Sequence, residues 1–159
     1  QVLVPDMTFE WGDYLVFIGI TLLYALAYVS VAVGISAATS SRSRAIGGSI
    51  GFFFLFNLVW NFFPVSPTEM LRFLLDQLGR NPDNYQNLLE FVFSISPTGA
   101  YLNSTKLFMP DRFLETVGTA GQTADPFYIQ GWFMLVILAF WVVAPLAVGY
   151  WRFQNAQLG

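Results

Sequence analysis

Asn57 and Asn61 stand one helical turn apart within a long apolar stretch, flanking Trp60. An amide in hydrocarbon is costly unless something partners it, so both should face other helices or water. Two readings follow: a polar lining along a solute's path, or an interhelical hydrogen bond that only holds a bundle together. What the sequence lacks limits the other chemistry. With no cysteine there is no disulfide framework and no thiolate metal site. With no histidine, the usual general base and the commonest transition-metal ligand are both missing. A Ser–His membrane protease and a zinc protease are thereby excluded. The stretch GTAGQT, Gly118–Thr123, lacks the lysine of a phosphate-binding loop, so the chain cannot hydrolyse ATP by that route. No catalytic, cofactor or metal site is expected on it.

The elements that must position these amides are membrane helices. Only 11% of the 159 residues are charged, against about 25% in an ordinary soluble domain. Three runs carry no charge at all: Tyr14–Ser41, Ala45–Thr68 and Pro126–Trp151. Each exceeds the roughly 20 residues that span a bilayer core at 1.5 Å per residue. The expected class is therefore an all-α membrane protein with three transmembrane helices, at 14–39, 45–65 and 126–150. No acidic or basic residue lies deep in any span, which argues against a carrier driven by protons or sodium ions.

Between the first two spans, Ser41, Arg42, Ser43 and Arg44 form a short polar turn, 40–44. Short loops rich in Lys and Arg stay cytoplasmic, which places this turn and the tail 151–159, with Arg152, inside. The lead 1–13 and the long loop 66–125 then lie outside. All ten acids fall in those two outer segments. The outer loop repeats one device: Ser66-Pro67, Asn81-Pro82, Ser96-Pro97 and Asp125-Pro126 each pair an N-cap with a proline at the first helical position. Ser66 with Glu69 completes a capping box, and Gly79 is placed to close that helix. Leu71, Leu74, Leu75 and Leu78 share one face, as do Tyr85, Leu88, Leu89 and Val92. Two amphipathic helices, over 67–79 and 82–95, are expected to lie against the membrane face with these stripes buried, then a third from Pro97 to about Met109. The Asp125-Pro126 cap is expected to launch the third span.

Within the spans, Ser30, Gly34 and Ala38 recur at spacing four, and Gly47 and Gly51 form a GxxxG. Small residues let helix backbones approach, so both sets are expected as packing seams, with a moving contact as the alternative. Pro145 removes one backbone hydrogen bond and should kink the third helix, as a static bend or a hinge.

Three segments carry a family resemblance. The stretch LLYALAYVSVAVGISAATSSRSRAIGGSIGFFFLFNLVW resembles the fourth-to-fifth helix region of ABC transporter permeases of the type-2 exporter class. There a small-residue helix end meets a serine/arginine turn, here Gly34, Ser36, Ser41, Arg42, Ser43, Arg44 and Ala45. SISPTGAY, Ser94–Tyr101, is similar to the family's Pro-containing segment before the last helix. The ending GYWRFQNAQLG is similar to its terminal aromatic-Arg-Phe pattern, closest to the NosY-like subgroup, although Gln157 stands where an acid often occurs. The resemblance covers the C-terminal half of a six-helix permease, and with no basic segment before the first span the chain is expected to be a fragment.

The resemblance implies a permease subunit in the cell membrane of a prokaryote, partnered by an ABC ATPase subunit that binds ATP and Mg, by a second permease copy in a homodimer or heterodimer, and by the lipid bilayer, with no nucleic acid. It also implies outer helices packed as a lid over the exit of the pathway. The other function class is a non-transporting anchor or assembly protein whose outer loop binds partners. Six Arg against one Lys and a pI near 4.6 suit either a salt-adapted microbe or an ordinary acidic protein.

Overall fold

The computed structural model describes residues 11–60, 66–107 and 126–157. The described residues form helices and turns, with no strand among them. Helix α1, Trp11–Ala38, has 28 residues and so runs about 42 Å. Helix α6, Gly131–Gln157, is almost as long. Both are apolar enough to cross a membrane, with a mean hydropathy of 2.3. A soluble core helix of that composition would be mostly buried, yet only 22% and 17% of the two apolar windows are. Apolar side chains facing outward all round a helix are what a lipid environment selects.

α1 and α6 run parallel. Ile20 meets Met134 and Leu138 in the core, and further along Gly34 meets Pro145 and Gly149. At this crossing a Cβ on Gly34 would lie 2.4 Å from the Pro145 carbonyl oxygen, and one on Gly149 would lie 2.8 Å from Gly34 Cα. Only glycines permit so close an approach. The helix stays continuous through Pro145.

Helix α2, Arg42–Phe54, turns back along α1 after a break at Thr39–Ser41 and continues as a π turn over Leu55–Val59. The turn is thus shorter than the expected 40–44. Arg42, Ser43 and Arg44 form the first turn of α2, where they are exposed. Two of the three expected spans reach full length among the described residues. The remaining one is helical from Arg42 to Val59, and 61–65 lie outside the described residues.

The long loop supplies α3 (Pro67–Gln77), a 3-10 turn at Pro82–Tyr85, α4 (Gln86–Ser94) and α5 (Pro97–Ser104), with a further 3-10 turn at Thr105–Leu107. Its caps work as their chemistry dictates. The Ser66, Asn81 and Ser96 side chains accept from the backbone N–H of Glu69, Asp83 and Gly99, each with proline at the start of the helix. Gly79 adopts a left-handed φ of 69°, which closes α3.

Two expectations are corrected here. The leucine stripes do not pack as units against the rest of the chain: Leu75 and Leu89 are buried within it, but Leu74, Leu78 and Leu88 stand clear of it, because each short helix packs through one edge. The last helix also does not start at Pro126; a 3-10 turn, Phe127–Ile129, intervenes and α6 begins at Gly131, then carries on through the expected tail to Gln157. Asp125 lies outside the described residues.

Candidate functional site

The SISPTGAY segment does not rest on top of the bundle. It forms the vertex of a hairpin, α4 down and α5 back, wedged against α1, α6 and the π turn. Ser94, Ser96, Pro97, Gly99 and Ala100 are all buried. Gly99 is required there, since a Cβ would lie 2.1 Å from the Phe93 carbonyl oxygen. The vertex keeps its backbone satisfied, as an apolar setting demands. Ile95 N–H donates to Phe91 O at 3.1 Å, and Ile95 O accepts from Trp141 Nε1 of α6 at 2.8 Å. Asn103 Nδ2 donates to Ser94 Oγ at 2.6 Å, tying α5 to α4.

At this vertex Thr98 meets Asn57. Asn57 Nδ2 donates to Tyr28 Oη at 2.7 Å, and Thr98 Oγ1 donates to Asn57 Oδ1 at 2.9 Å. Tyr28 Oη and Thr98 Oγ1 are 2.9 Å apart. Thr98 has one proton, already given to an amide oxygen that can only accept, so Tyr28 must be the donor in that pair. The three bonds therefore close into a ring in which every member donates once and accepts once. The second Nδ2 proton goes to Phe53 O at 3.1 Å, which fixes the amide orientation. Tyr24 Oη approaches the ring from outside, 3.2 Å from Thr98 Oγ1 and 3.4 Å from Asn57 Oδ1. Tyr24 in turn stacks on Tyr101 at 4.6 Å between centroids, and Tyr101 Oη lies 3.2 Å from Thr21 Oγ1.

Tyr24 and Tyr28 lie 13 and 17 residues beyond Trp11, roughly 20 and 25 Å along α1. The ring thus sits in the middle third of the longest helix. It joins α1, the π turn and the hairpin through side chains alone. π turns inside helices recur at functional sites, and here the turn carries Asn57 itself.

The remaining expected residues are distributed as follows. Asn61 lies outside the described residues. Ser30 and Gly34 are buried, Gly34 against α6, whereas Ala38 is only partly covered. Gly47 and Gly51 face open space, with nothing within 4 Å of either Cβ position; α2 meets α1 instead through Gly48, against Ile35. The GxxxG is therefore no seam within this chain, because one register step turns it away. Arg42 and Arg44 are exposed, and Arg152 lies with Ala38 and Ser40 around one cleft of about 600 Å³ at the common end of α1 and α6.

Sequence reasoning missed Tyr24, Tyr28, Thr98 and Gly149. The two tyrosines did leave a signal: spacing four on an apolar helix puts both hydroxyls on one face, and a membrane-embedded hydroxyl needs a partner.

Compared with known families, the chain matches the ABC-2 family transporter proteins over residues 2–158. Comparison with curated proteins and with solved structures returns no match.

Proposed function

The chain belongs to the ABC-2 family of transporter proteins, and from that premise we propose that it is the membrane-spanning permease subunit of an ATP-driven transporter. It forms part of the translocation pathway and is coupled to a separate ATPase subunit, which binds ATP and Mg. It crosses the cell membrane of a prokaryote three times, at α1, at α2 with its π turn, and at α6, and works beside a second permease copy. The resemblance of its ending to the NosY-like subgroup is carried into this reading.

The observation that carries the sidedness is the parallel run of α1 and α6, which brings Arg42, Arg44 and Arg152 to one end of the bundle. That end is cytoplasmic by the bias of short basic loops. Two arginines in the first turn of α2 oppose the helix dipole, at a cost of about 0.3–1 kcal/mol each. They do not serve the helix, which leaves orientation and partner contact as their use. The ATPase engages this inner end.

Closure of the ATPase pair on ATP then rocks the helices, a population shift driven by the preference of ATP for the closed pair. The glycine crossing at Gly34 and Gly149 keeps the inner halves of α1 and α6 as one unit. The middle of α1 is joined to the π turn and the hairpin by the Asn57–Tyr28–Thr98 ring, whose hydrogen bonds can exchange partners without exposing a charge. Motion is therefore expected where the hairpin meets α2. The test is ATP-dependent transport in vesicles with and without the candidate ATPase. Transport by the permease alone at the full rate would overturn the reading.

A further inference from the structure

A cleft of about 430 Å³ lies between the end of α2, helix α3 and the α4–α5 hairpin, away from the ring and from the inner basic end. Among the described residues, three buried polar side-chain atoms have no hydrogen-bond partner: Trp60 Nε1, Thr68 Oγ1 and Arg72 Nε. All three belong to residues that line this one cleft. Trp60 Nε1 and Arg72 Nε can only donate, and the Thr68 hydroxyl is able to. A buried donor left without an acceptor is costly, and three around one cavity point to an acceptor from outside the chain.

The charges around the cleft narrow its class. Lys106 is already paired with Glu90 across the hairpin. Arg72 is held more loosely, in a half-exposed ion pair with Glu69, another residue of the cleft, whose Oε1 is 3.6 Å from its Nε, too far for a hydrogen bond. Its Nε has no hydrogen-bond partner, and a guanidinium can meet an oxyanion in two parallel bonds, which would compete with the loose Glu69 pair. Leu89 and Phe93 supply an apolar wall.

We propose that this cleft binds a phosphate group through Trp60 Nε1, Thr68 Oγ1 and the Arg72 guanidinium. The phosphate comes either from a lipid headgroup or from a soluble phosphate; the chemistry of recognition is the same. The site is independent of the transport reading and stands or falls by binding alone.

The experiment is calorimetric titration of the full chain in mild, phosphate-free detergent. Three probes are used separately: inorganic phosphate, a short-chain phosphatidylglycerol below its micelle concentration, and the matching diacylglycerol. Saturable binding of the phospholipid alone identifies a headgroup site, and binding of inorganic phosphate as well identifies a free anion; either supports the proposal. Thr68→Val removes one donor with little change of shape, and Trp60→Phe removes another while keeping an aromatic ring beside Phe56; each is expected to weaken binding about tenfold or more. Arg72→Lys keeps the charge, loses the fork and sits on a half-exposed side chain whose Nε alone is buried, so it reports even where the other two fail to fold. It too is expected to lose tenfold or more. No binding of either phosphate probe, equal binding of the diacylglycerol, or unchanged affinity in Arg72→Lys would overturn the proposal.

Discussion

The hydrogen-bonded ring makes a quantitative demand that a loose polar contact would not. Asn57 takes part in two of its three bonds, and so do Thr98 and Tyr28. Interhelical hydrogen bonds in membrane proteins average about 0.6 kcal/mol and reach about 1.7. Counting the ring bonds alone, Asn57→Leu and Thr98→Val should each cost about 1.2 kcal/mol, and the double substitution about 1.8, because the bond they share is lost only once; the Tyr24 contacts and the Asn57–Phe53 bond add to these figures. The coupling is then about 0.6 kcal/mol, or more if closure of the ring strengthens its members. Tyr28→Phe loses two ring bonds and should cost about 1.2 kcal/mol, whereas Tyr24→Phe removes only the outer contact and should cost about half that. The assay is reversible unfolding from mild detergent into SDS micelles, followed by circular dichroism. A coupling below about 0.3 kcal/mol, or a Tyr24→Phe cost equal to that of Tyr28→Phe, would refute the ring.

Three further perturbations probe the frame around it. Gly34→Ala forces a methyl against the Pro145 carbonyl and should destabilise by about 1–3 kcal/mol, whereas Gly47→Ala enters open space and should be neutral or stabilising by up to about 1 kcal/mol in the same unfolding assay. Leu75→Ala and Leu89→Ala should each cost about 2–5 kcal/mol, and Leu78→Ala, on an exposed side chain, within about 0.5; equal losses would mean that the outer helices bury another face. The chain has no native cysteine, so single cysteines placed by Ser43→Cys and Asn84→Cys should be labelled by an impermeant thiol reagent from opposite sides of a sealed vesicle. Labelling of both from one side would sink the topology.

The parts of this molecule that were legible in the sequence are those fixed by local chemistry. The long apolar helices follow from uncharged runs, and the caps at Ser66, Asn81 and Ser96 follow from a side-chain oxygen next to a proline, which needs nothing beyond three neighbouring residues. What failed depends on which neighbour arrives. The repeat Gly47-x-x-x-Gly51 reads as a seam by composition, but the turn at Thr39–Ser41 sets the rotation of α2 and presents Gly48 instead. The partner of Gly34 proved to be Gly149, more than a hundred residues away and in no repeat with it. The hairpin illustrates the same limit. Pro97 reads as the first residue of a helix, but Thr98 and Gly99 look like loop punctuation, and only the bundle shows why those two are needed. Proline starts α5 where no N–H is wanted, threonine closes the ring on Asn57, and glycine lets the chain pass the Phe93 carbonyl. A polar loop segment rich in Ser, Thr and small residues is also what a buried hairpin vertex in an apolar surrounding must use, because such side chains fill little space and answer the hydrogen bonds of their neighbours. Composition alone therefore does not separate a surface loop from a wedge. The separating signal lies in the facing helices, where Tyr24, Tyr28 and Asn57 offer hydroxyls and an amide to nothing else on their own helices except the Phe53 carbonyl. Unmatched polar groups in one span are thus a prediction that some other segment descends to meet them.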